Sequence, residues 1–479
     1  MIALLLGCTG GGTLTVPTDS VPTHTADTDT TPTPTTFEGF AEASGLRVAE
    51  GSFTFTDSAD CCQPGVSCLW NNPSTPYGVY AVPPLPDEPP VPVVDGWSSL
   101  FRMRGDEAVV YLGRTPPRAA YYSFRTYAQY RPEPHPQTGE LVPLPVLGSL
   151  GPSLNPIVVG AQAGADAVWD APLAVVTTAD AALERQIVDW LVQTGWDADH
   201  VQVDRIPPGE ARLGTGQDAD LLSMVVRVAL FEDTDAGAAW MADPGARVLR
   251  LTPVEERAVA EPHPRQPVPQ GGSGTSEQAW ASAEAALGDA IVNGFPGFFV
   301  FEQTSNPLFE ETYDCLATLT CFGESSDRYN ARIPAFFLWD DGSFVLSWGV
   351  NHGRVGKAAY SSVAINTVVN QIGLDAVDST GMPGSARAFL DDPLVDDLYV
   401  VAVARDCAAV GATLASLGHG TAPVPCMEVP TTCPGVAFTE PMMLNWRAYL
   451  EEATNAAPIP EELVLDRVVK VVPRPAGLP

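Results

Sequence analysis

Lysine is almost missing from this chain of 479 residues. Lys357 and Lys470 are the only two among 25 basic residues, and the remaining cations are arginine. A retained lysine therefore draws attention, because arginine cannot stand in for a compact ammonium or for an amine that must lose its proton. Histidine is scarce too, at six residues. No His-Glu-x-x-His occurs and no Gly-x-Gly-x-x-Gly follows a strand, so the motifs for zinc peptidase and dinucleotide chemistry are lacking. Positive charge is short overall: 58 acidic against 25 basic residues give a formal charge of -33, which repels phosphate backbones and argues against nucleic acid as a partner. Apolar runs are broken within about ten residues, short of the ~20 that a membrane helix needs. What remains is ample for folding. With 45% hydrophobic residues the chain can bury sizeable cores, and its length suggests two to four domains.

The first residues read Met-Ile-Ala-Leu-Leu-Leu-Gly-Cys, and Leu5-Leu6-Gly7-Cys8 resembles the lipobox of bacterial lipoproteins. The resemblance covers this motif and the tether behind it. It implies that residues 1–8 are a lipoprotein signal and lipobox, that Cys8 carries the lipid, and that the protein sits at the cell envelope, on the periplasmic or outer surface, with the membrane as a partner through that lipid. The apolar run is short and has no Lys or Arg before it, as expected of a minimal signal or a start codon placed too late. Residues 9–36 are rich in Gly, Thr, Pro and Asp, the composition of a solvated tether.

Setting Cys8 aside leaves Cys61, Cys62, Cys68, Cys315, Cys321, Cys407, Cys426 and Cys433. An even number suits disulfides in an oxidising compartment, with 315/321 and 426/433 as plausible local bridges. Their spacings, with no histidine adjacent, do not suit zinc, and neither a metal nor a cofactor is expected.

Along the chain, residues 37–160 show short apolar runs separated by Pro, Gly and Asn and read as β-rich. Residues 171–253 are the clearest architecture. Leu173–Ala179 reads as a strand, Asp180 as the cap of a helix with Leu183, Ile187 and Leu191 on one stripe, and Val201–Ile206, Met224–Phe231, Asp235–Ala242 and Arg247–Leu251 follow as strand, strand, helix and strand. The order βαββαβ predicts a ferredoxin-like unit. Residues 254–276 read as a Pro/Gly-rich linker. Residues 277–479 are expected to form a disulfide-containing α/β or α+β domain, with a helix at Glu277–Val292, strands at Gly297–Phe301 and Leu398–Ala404, a hairpin joining Ile333–Trp339 to Phe344–Val350, and a helix at Met443–Glu452. Tyr360–Gln371 suits helix or strand. No internal repeat is apparent. The expected class is thus α+β and multidomain.

The richest candidate site is the loop Gly349–Tyr360, which gathers Asn351, His352, Arg354, Lys357 and Tyr360 around glycines. His352 suits a general base, Lys357 or Arg354 an anion holder, and Asn351 or Tyr360 an oxyanion donor. Gly356-Lys357 is followed by Ala358, so the loop is no Walker A motif. A loop that merely satisfies its own backbone is the competing reading. Ser153 with Asp197 and His200 only faintly resembles a serine esterase arrangement. Glu324 and Asp327 precede a strand and are candidates to meet the loop, while Asp27 and Asp29 read as solvating charge. With the lipid anchor that the lipobox resemblance implies, the favoured reading is a binding or interaction protein of the cell envelope for an unknown protein or small-molecule ligand. An enzyme reading, as a hydrolase or transferase on a small polar substrate, requires His352, Lys357 and Asn351 to share a pocket. A binding surface instead has Trp97, Tyr121, Tyr122 and Tyr127 as candidates, and a purely structural surface protein needs neither.

Overall fold

Two stretches, Arg247–Pro253 (RVLRLTP) and Arg467–Pro473 (RVVKVVP), hold the same place in two copies of one fold. The structure, a computed structural model, describes residues 34–56, 60–62, 71–308, 312–321, 323–420, 422–433 and 435–475. The signal, Cys8, most of the tether and Cys68 lie outside them, as do Asp27 and Asp29.

The first copy runs α1 (Phe37–Ala43), β1 (Leu46–Glu50), β2 (Ser52–Thr56), β3 (Tyr77–Ala81), β4 (Ala108–Arg114), β5 (Ala119–Pro134), β6 (Leu141–Ser149), α2 (Pro156–Ala163), β7 (Pro172–Thr178), α3 (Ala181–Gln193), β8 (Val201–Arg205), β9 (Leu221–Phe231), α4 (Thr234–Ala242) and β10 (Arg247–Pro253). The second runs α5 (Ala281–Asn293), β11 (Phe298–Thr304), β12 (Asn306–Pro307), α6 (Asp314–Thr318), β13 (Arg328–Arg332), β14 (Phe344–Val350), β15 (Tyr360–Thr367), β16 (Gly373–Asp378), β17 (Leu398–Ala404), α7 (Cys407–Ser416), β18 (Cys426–Glu428), β19 (Met442–Tyr449) and β20 (Arg467–Pro473). The outer sheet of the first copy is ordered β1-β10-β4-β7-β8 and that of the second β11-β20-β14-β17-β18; the inner sheets are β2-β3-β9-β5-β6 and β12-β13-β19-β15-β16. Each strand thus has its counterpart ten places on, and the parallel pair β7–β8 reappears as β17–β18. Residues correspond through the registers. Tyr121 faces Ala229 as Tyr360 faces Tyr449, which aligns Arg118-Ala-Ala-Tyr121 with Lys357-Ala-Ala-Tyr360. Asp180 and Asp406 cap the corresponding helices α3 and α7, and Leu230 and Leu450 both take φ 57°.

Burial builds the layers. On the outer face of the first outer sheet, Ala108, Val110, Val176 and Leu249 pack with Leu183, Ile187 and Trp190 of α3. Its inner face meets the inner sheet through Tyr111 and Val175 against Tyr122, Phe124 and Val226. The second copy repeats this with Leu287 and Ile291 of α5 outside and Val345 and Val401 against Trp446 and Val363 inside. The two inner sheets then face one another through Tyr121, Ala229, Tyr360 and Tyr449. Thr35–Pro479 is one compact unit, mixed α+β throughout.

Several expectations need revision. The internal repeat, unseen in the sequence, is the plan of the molecule. The element order βαββαβ holds over 172–253, but β9 joins the inner sheet while β7, β8 and β10 share the outer one, so these strands do not make a single ferredoxin-like sheet. Residues 333–339 form no hairpin with β14, which pairs with the distant β17 and β20. Met443–Glu452 is largely strand, because β19 is buried on both faces and shows no period to read. Of the stretch Tyr360–Gln371, Tyr360–Thr367 is strand and the remainder is a bend. Residues 254–276 are pinned: the Asp180 carboxylate accepts from the backbone N–H groups of Ala260 and Glu261 at 2.9 and 3.1 Å, and His263 N donates to Ala179 O at 3.1 Å.

The disulfides are Cys62–Cys433, Cys315–Cys321 and Cys407–Cys426, and Cys61 is also disulfide-bonded. The 315/321 bridge is as expected. The 426/433 pairing is overturned: Cys426 on β18 lies beside the start of α7, whereas Cys433 reaches back to the first copy. Such bridges belong to proteins that mature in an oxidising, non-cytoplasmic compartment. No described helix is long and apolar enough to cross a membrane. Non-reducing peptide mapping should recover 62–433 and 407–426 links, and a 426–433 peptide would contradict this arrangement. Replacing Cys62 and Cys433 by Ser should lower unfolding stability by roughly 2–5 kcal/mol, read by urea titration, because the bridge closes a very long loop.

Candidate ligand cleft

The loop between β14 and β15 is folded by its own polar groups. Asn351 N donates to Asp397 O at 2.8 Å, and Lys357 N and Ala358 N converge on His352 O at 3.0 and 3.1 Å. The Asn351 side chain donates to Ser379 O at 2.8 Å and accepts from Arg354 N at 3.2 Å. Gly356 sits at φ +76°, where a side chain would be strained. Asn351 is thus wholly engaged in holding the turn and offers nothing to an oxyanion.

His352 points into the protein. Its Nδ1 lies 2.7 Å from Glu277 Oε1 and its Nε2 3.6 Å from Asp466 Oδ2, and all three side chains are buried. Burial alone would drive off the ring proton; the carboxylates, Glu277 foremost, outweigh it and push the pKa up to about 10. An imidazolium at neutral pH has no lone pair to act as a general base. Lys357 Nζ is held by the carboxylates of Glu451 and Glu462 and donates to Thr275 O at 2.8 Å. Desolvation would lower its pKa, and the two carboxylates reverse the shift and raise it, so this amine is neither free nor deprotonated. Tyr360 faces the opposite way, into the junction of the inner sheets, where its hydroxyl accepts from Asn72 Nδ2 at 2.9 Å and its ring lies 5.2 Å from Tyr449.

Lys357 borders a cleft of about 770 Å³, whose walls include Thr275, Trp280, Val355, Glu451 and Glu452, with Glu277 between the cleft and His352. Its carboxylates are Glu277, Glu451 and Glu452; Glu462 and Asp466 stand behind the two cations. Five carboxylates against His352 and Lys357 leave the site acidic. Among the described residues, the corresponding place in the first copy carries no such cluster of charges. Arg118 takes the place of Lys357 and faces Glu232 at 4.0 Å in the open, and Phe231, in the place of Glu451, packs on Trp240 at 6.3 Å. Glu277, Glu451, Glu462 and Trp280 were not among the residues that the sequence suggested. The signal was Arg227-Val-Ala-Leu-Phe-Glu232 beside Arg447-Ala-Tyr-Leu-Glu-Glu452, which sets a charge where the first copy has an apolar ring.

The other candidates lie elsewhere. Glu324 accepts from Ser149 Oγ at 2.6 Å, and burial pushes its carboxyl upward. Asp327 accepts from Ser153, Asn155, Tyr121 and Ser325 at 2.7–3.2 Å. Both belong to the junction between copies rather than to the loop. Ser153 is thereby engaged, and Asp197 caps a 3₁₀ turn that ends at His200, so no esterase arrangement forms around them. Of the aromatic surface candidates, Tyr121, Tyr122 and Tyr127 are core residues and only Trp97 is partly exposed. Among the described residues no acidic, histidine or cysteine group suited to a metal occurs.

No family model matches the chain, and no curated protein matches it. Among solved structures it is similar to an uncharacterised protein from Burkholderia cenocepacia, at 14% identity over 89% of this chain and 82% of that one, with a TM-score of 0.38. A structural-genomics target from Vibrio parahaemolyticus is similar at 10% identity over 86% and 93%, with a TM-score of 0.32.

The His352 pKa sets a pH signature. A group raised from about 6.5 to about 10 on folding stabilises fully below pH 6.5 and loses that contribution as pH rises through 10. His352→Gln should therefore cost roughly 3 kcal/mol at pH 6, where two buried carboxylates lose their cation, and the gap between the urea midpoints of wild type and variant should narrow towards pH 10. A gap independent of pH would show that the ring is not held charged.

Proposed function

We propose that the protein is a lipid-anchored binding protein of the bacterial cell envelope, attached through Cys8 and the tether, and that its cleft takes a small cationic ligand such as an alkyl amine. The observation that carries this reading is the excess of carboxylate in a cleft whose cations are already committed. An anionic ligand entering here meets Glu451 and Glu452 with no free counter-charge. An ammonium ligand finds the exposed Glu452 carboxylate beside the Lys357–Glu451 pair and the Trp280 ring, a wall suited to a cation. The four residues first considered for catalysis supply neither base nor nucleophile, so binding accounts for the site better than a hydrolase or transferase does. The disulfides accord with an extracytoplasmic setting.

Isothermal titration of the full chain with a diamine, an acetate salt and a neutral sugar tests the ligand class. The diamine should bind, Glu452→Gln should weaken it about tenfold, or 1.4 kcal/mol, and added salt should weaken it further. Preference for acetate or sugar would sink the proposal. Labelling with radioactive palmitate, lost in Cys8→Ser, tests the anchor separately.

A further inference from the structure

We infer that the exposed aromatic corner formed by β11 and residues 333–343 is a docking surface for a proline-rich, acidic, extended segment of a partner protein. On the edge strand β11, Phe299 and Phe301 are 37% and 57% exposed, and Trp339, stacked on Phe337 with ring centres 5.5 Å apart, is 65% exposed. Lys470 joins the two pairs: it lies opposite Phe301 in the register, its Nζ stands 4.5 Å from the Trp339 ring, and it donates to Phe337 O at 2.6 Å. Arg474 stacks on Phe299 at 5.1 Å. Four aromatic rings and two cations thus form one continuous surface, larger than the scattered single apolar residues of an ordinary exterior.

The first copy shows what such a corner accepts. There Arg47 and Ala49 correspond to Phe299 and Phe301, and Arg250 corresponds to Lys470. That corner is covered by the chain itself, because the connection between β3 and β4 spans residues 82–107, whereas between β13 and β14 it spans only 333–343. The cover reads Pro-Pro-Leu-Pro-Asp-Glu-Pro-Pro-Val-Pro-Val-Val-Asp-Gly over residues 83–96. Arg250 donates to Pro83 O at 2.9 Å, Arg102 to Pro89 O at 3.2 Å, and Trp97 Nε1 to Glu50 O at 3.0 Å. Arg250 is buried beneath this segment, while Lys470 is only partly covered. Prolines present rings and carbonyls but no N–H, and stay extended at little entropic cost, which is why aromatic-lined surfaces recognise them. The second copy keeps the cation, adds aromatic rings and lacks the cover. Asp87, Glu88 and Asp95 of the first copy's cover mark the charge that Lys470 and Arg474 complement.

The test is fluorescence anisotropy of a labelled peptide with the sequence of residues 83–96, titrated with the full chain. Saturable binding is expected. Trp339→Ala and Phe301→Ser should each weaken it about tenfold without moving the urea midpoint, since both side chains are exposed. A peptide with its three acidic residues changed to Lys should bind about tenfold more weakly. No saturation at millimolar protein, or binding indifferent to both substitutions, overturns the inference. So does tighter binding to residues 35–479 than to the full chain, which would make the tether the occupant, and so does self-association that Trp339→Ala abolishes, which would make it a second copy.

Discussion

The contact of the two inner sheets governs the rest of the molecule. Each inner sheet packs on its own outer sheet and on the other copy, so its central strands have no face left for water. All eight residues of β15 and of β19 are buried. The polar side chains caught between the copies must then satisfy one another. Asp327 of the second copy gathers donors from Tyr121, Ser153 and Asn155 of the first, and Asn72 of the first donates to Tyr360 and Ser362 of the second. Arg227 lies between the Tyr77 and Tyr127 rings, 5.5 and 4.8 Å from their centres. Side chains of the second copy press on the first where only glycine fits: a Cβ on Gly148 would meet Leu316 Cδ2 at 2.5 Å and Cys321 Sγ at 2.6 Å. Residues that in isolation suggested chemistry, Ser153, Glu324, Asp327 and Tyr360, are there because this junction needs hydrogen bonds.

The duplication also changes the meaning of the two lysines. Lys357 stands where the first copy has Arg118, and Lys470 where it has Arg250. Lysine in one copy and arginine in the other argues for a position that wants a cation of either kind, fitted to different surroundings. At Lys357 the surroundings are two carboxylates and a carbonyl closing on one point, which a compact ammonium with three donors meets better than a planar guanidinium. At Arg250 two backbone carbonyls and Glu107 lie apart, which suits the wider fork. Rarity in composition pointed to the right positions for the wrong reason.

What could be read from the sequence follows the layers. The outer strands and their helices carry ordinary signals, and β7, α3, α4, β10, α5 and β17 fall within a residue or a few of their expected bounds. The inner sheets gave weaker signals: uninterrupted burial erased the period of β19, and β14 found its partners far along the chain rather than in the preceding segment. The site was half legible. A loop dense in polar residues was evident, but its charges are completed by Glu277, Glu451 and Glu462, separated from their partners by 75, 94 and 105 residues. Without those partners His352 reads as a base and Lys357 as an anion holder; with them, both are cations already spent on the fold.

The same long-range ion pairs bear on how the cleft works. Its walls come from the segment between the copies, the β14–β15 loop and the stretch after β19, three pieces with no local reason to stay together. Lys357 ties all three, through Thr275, its own loop, and Glu451 with Glu462, while His352 ties its loop to Glu277 and Asp466. The connecting segment cannot act as a hinge, because Asp180 and Ala179 hold it upstream and Lys357 holds it downstream. A cleft fixed in this way differs from the closing jaw of a two-domain binder: its shape is set before a ligand arrives, so little ordering entropy is lost on binding. Buried ion pairs add little net stability, and their value here lies in geometry, since the Lys357–Glu451 and His352–Glu277 pairs fix the walls beside Glu452, whereas the first copy sets Phe231 against Trp240 in the place of Glu451.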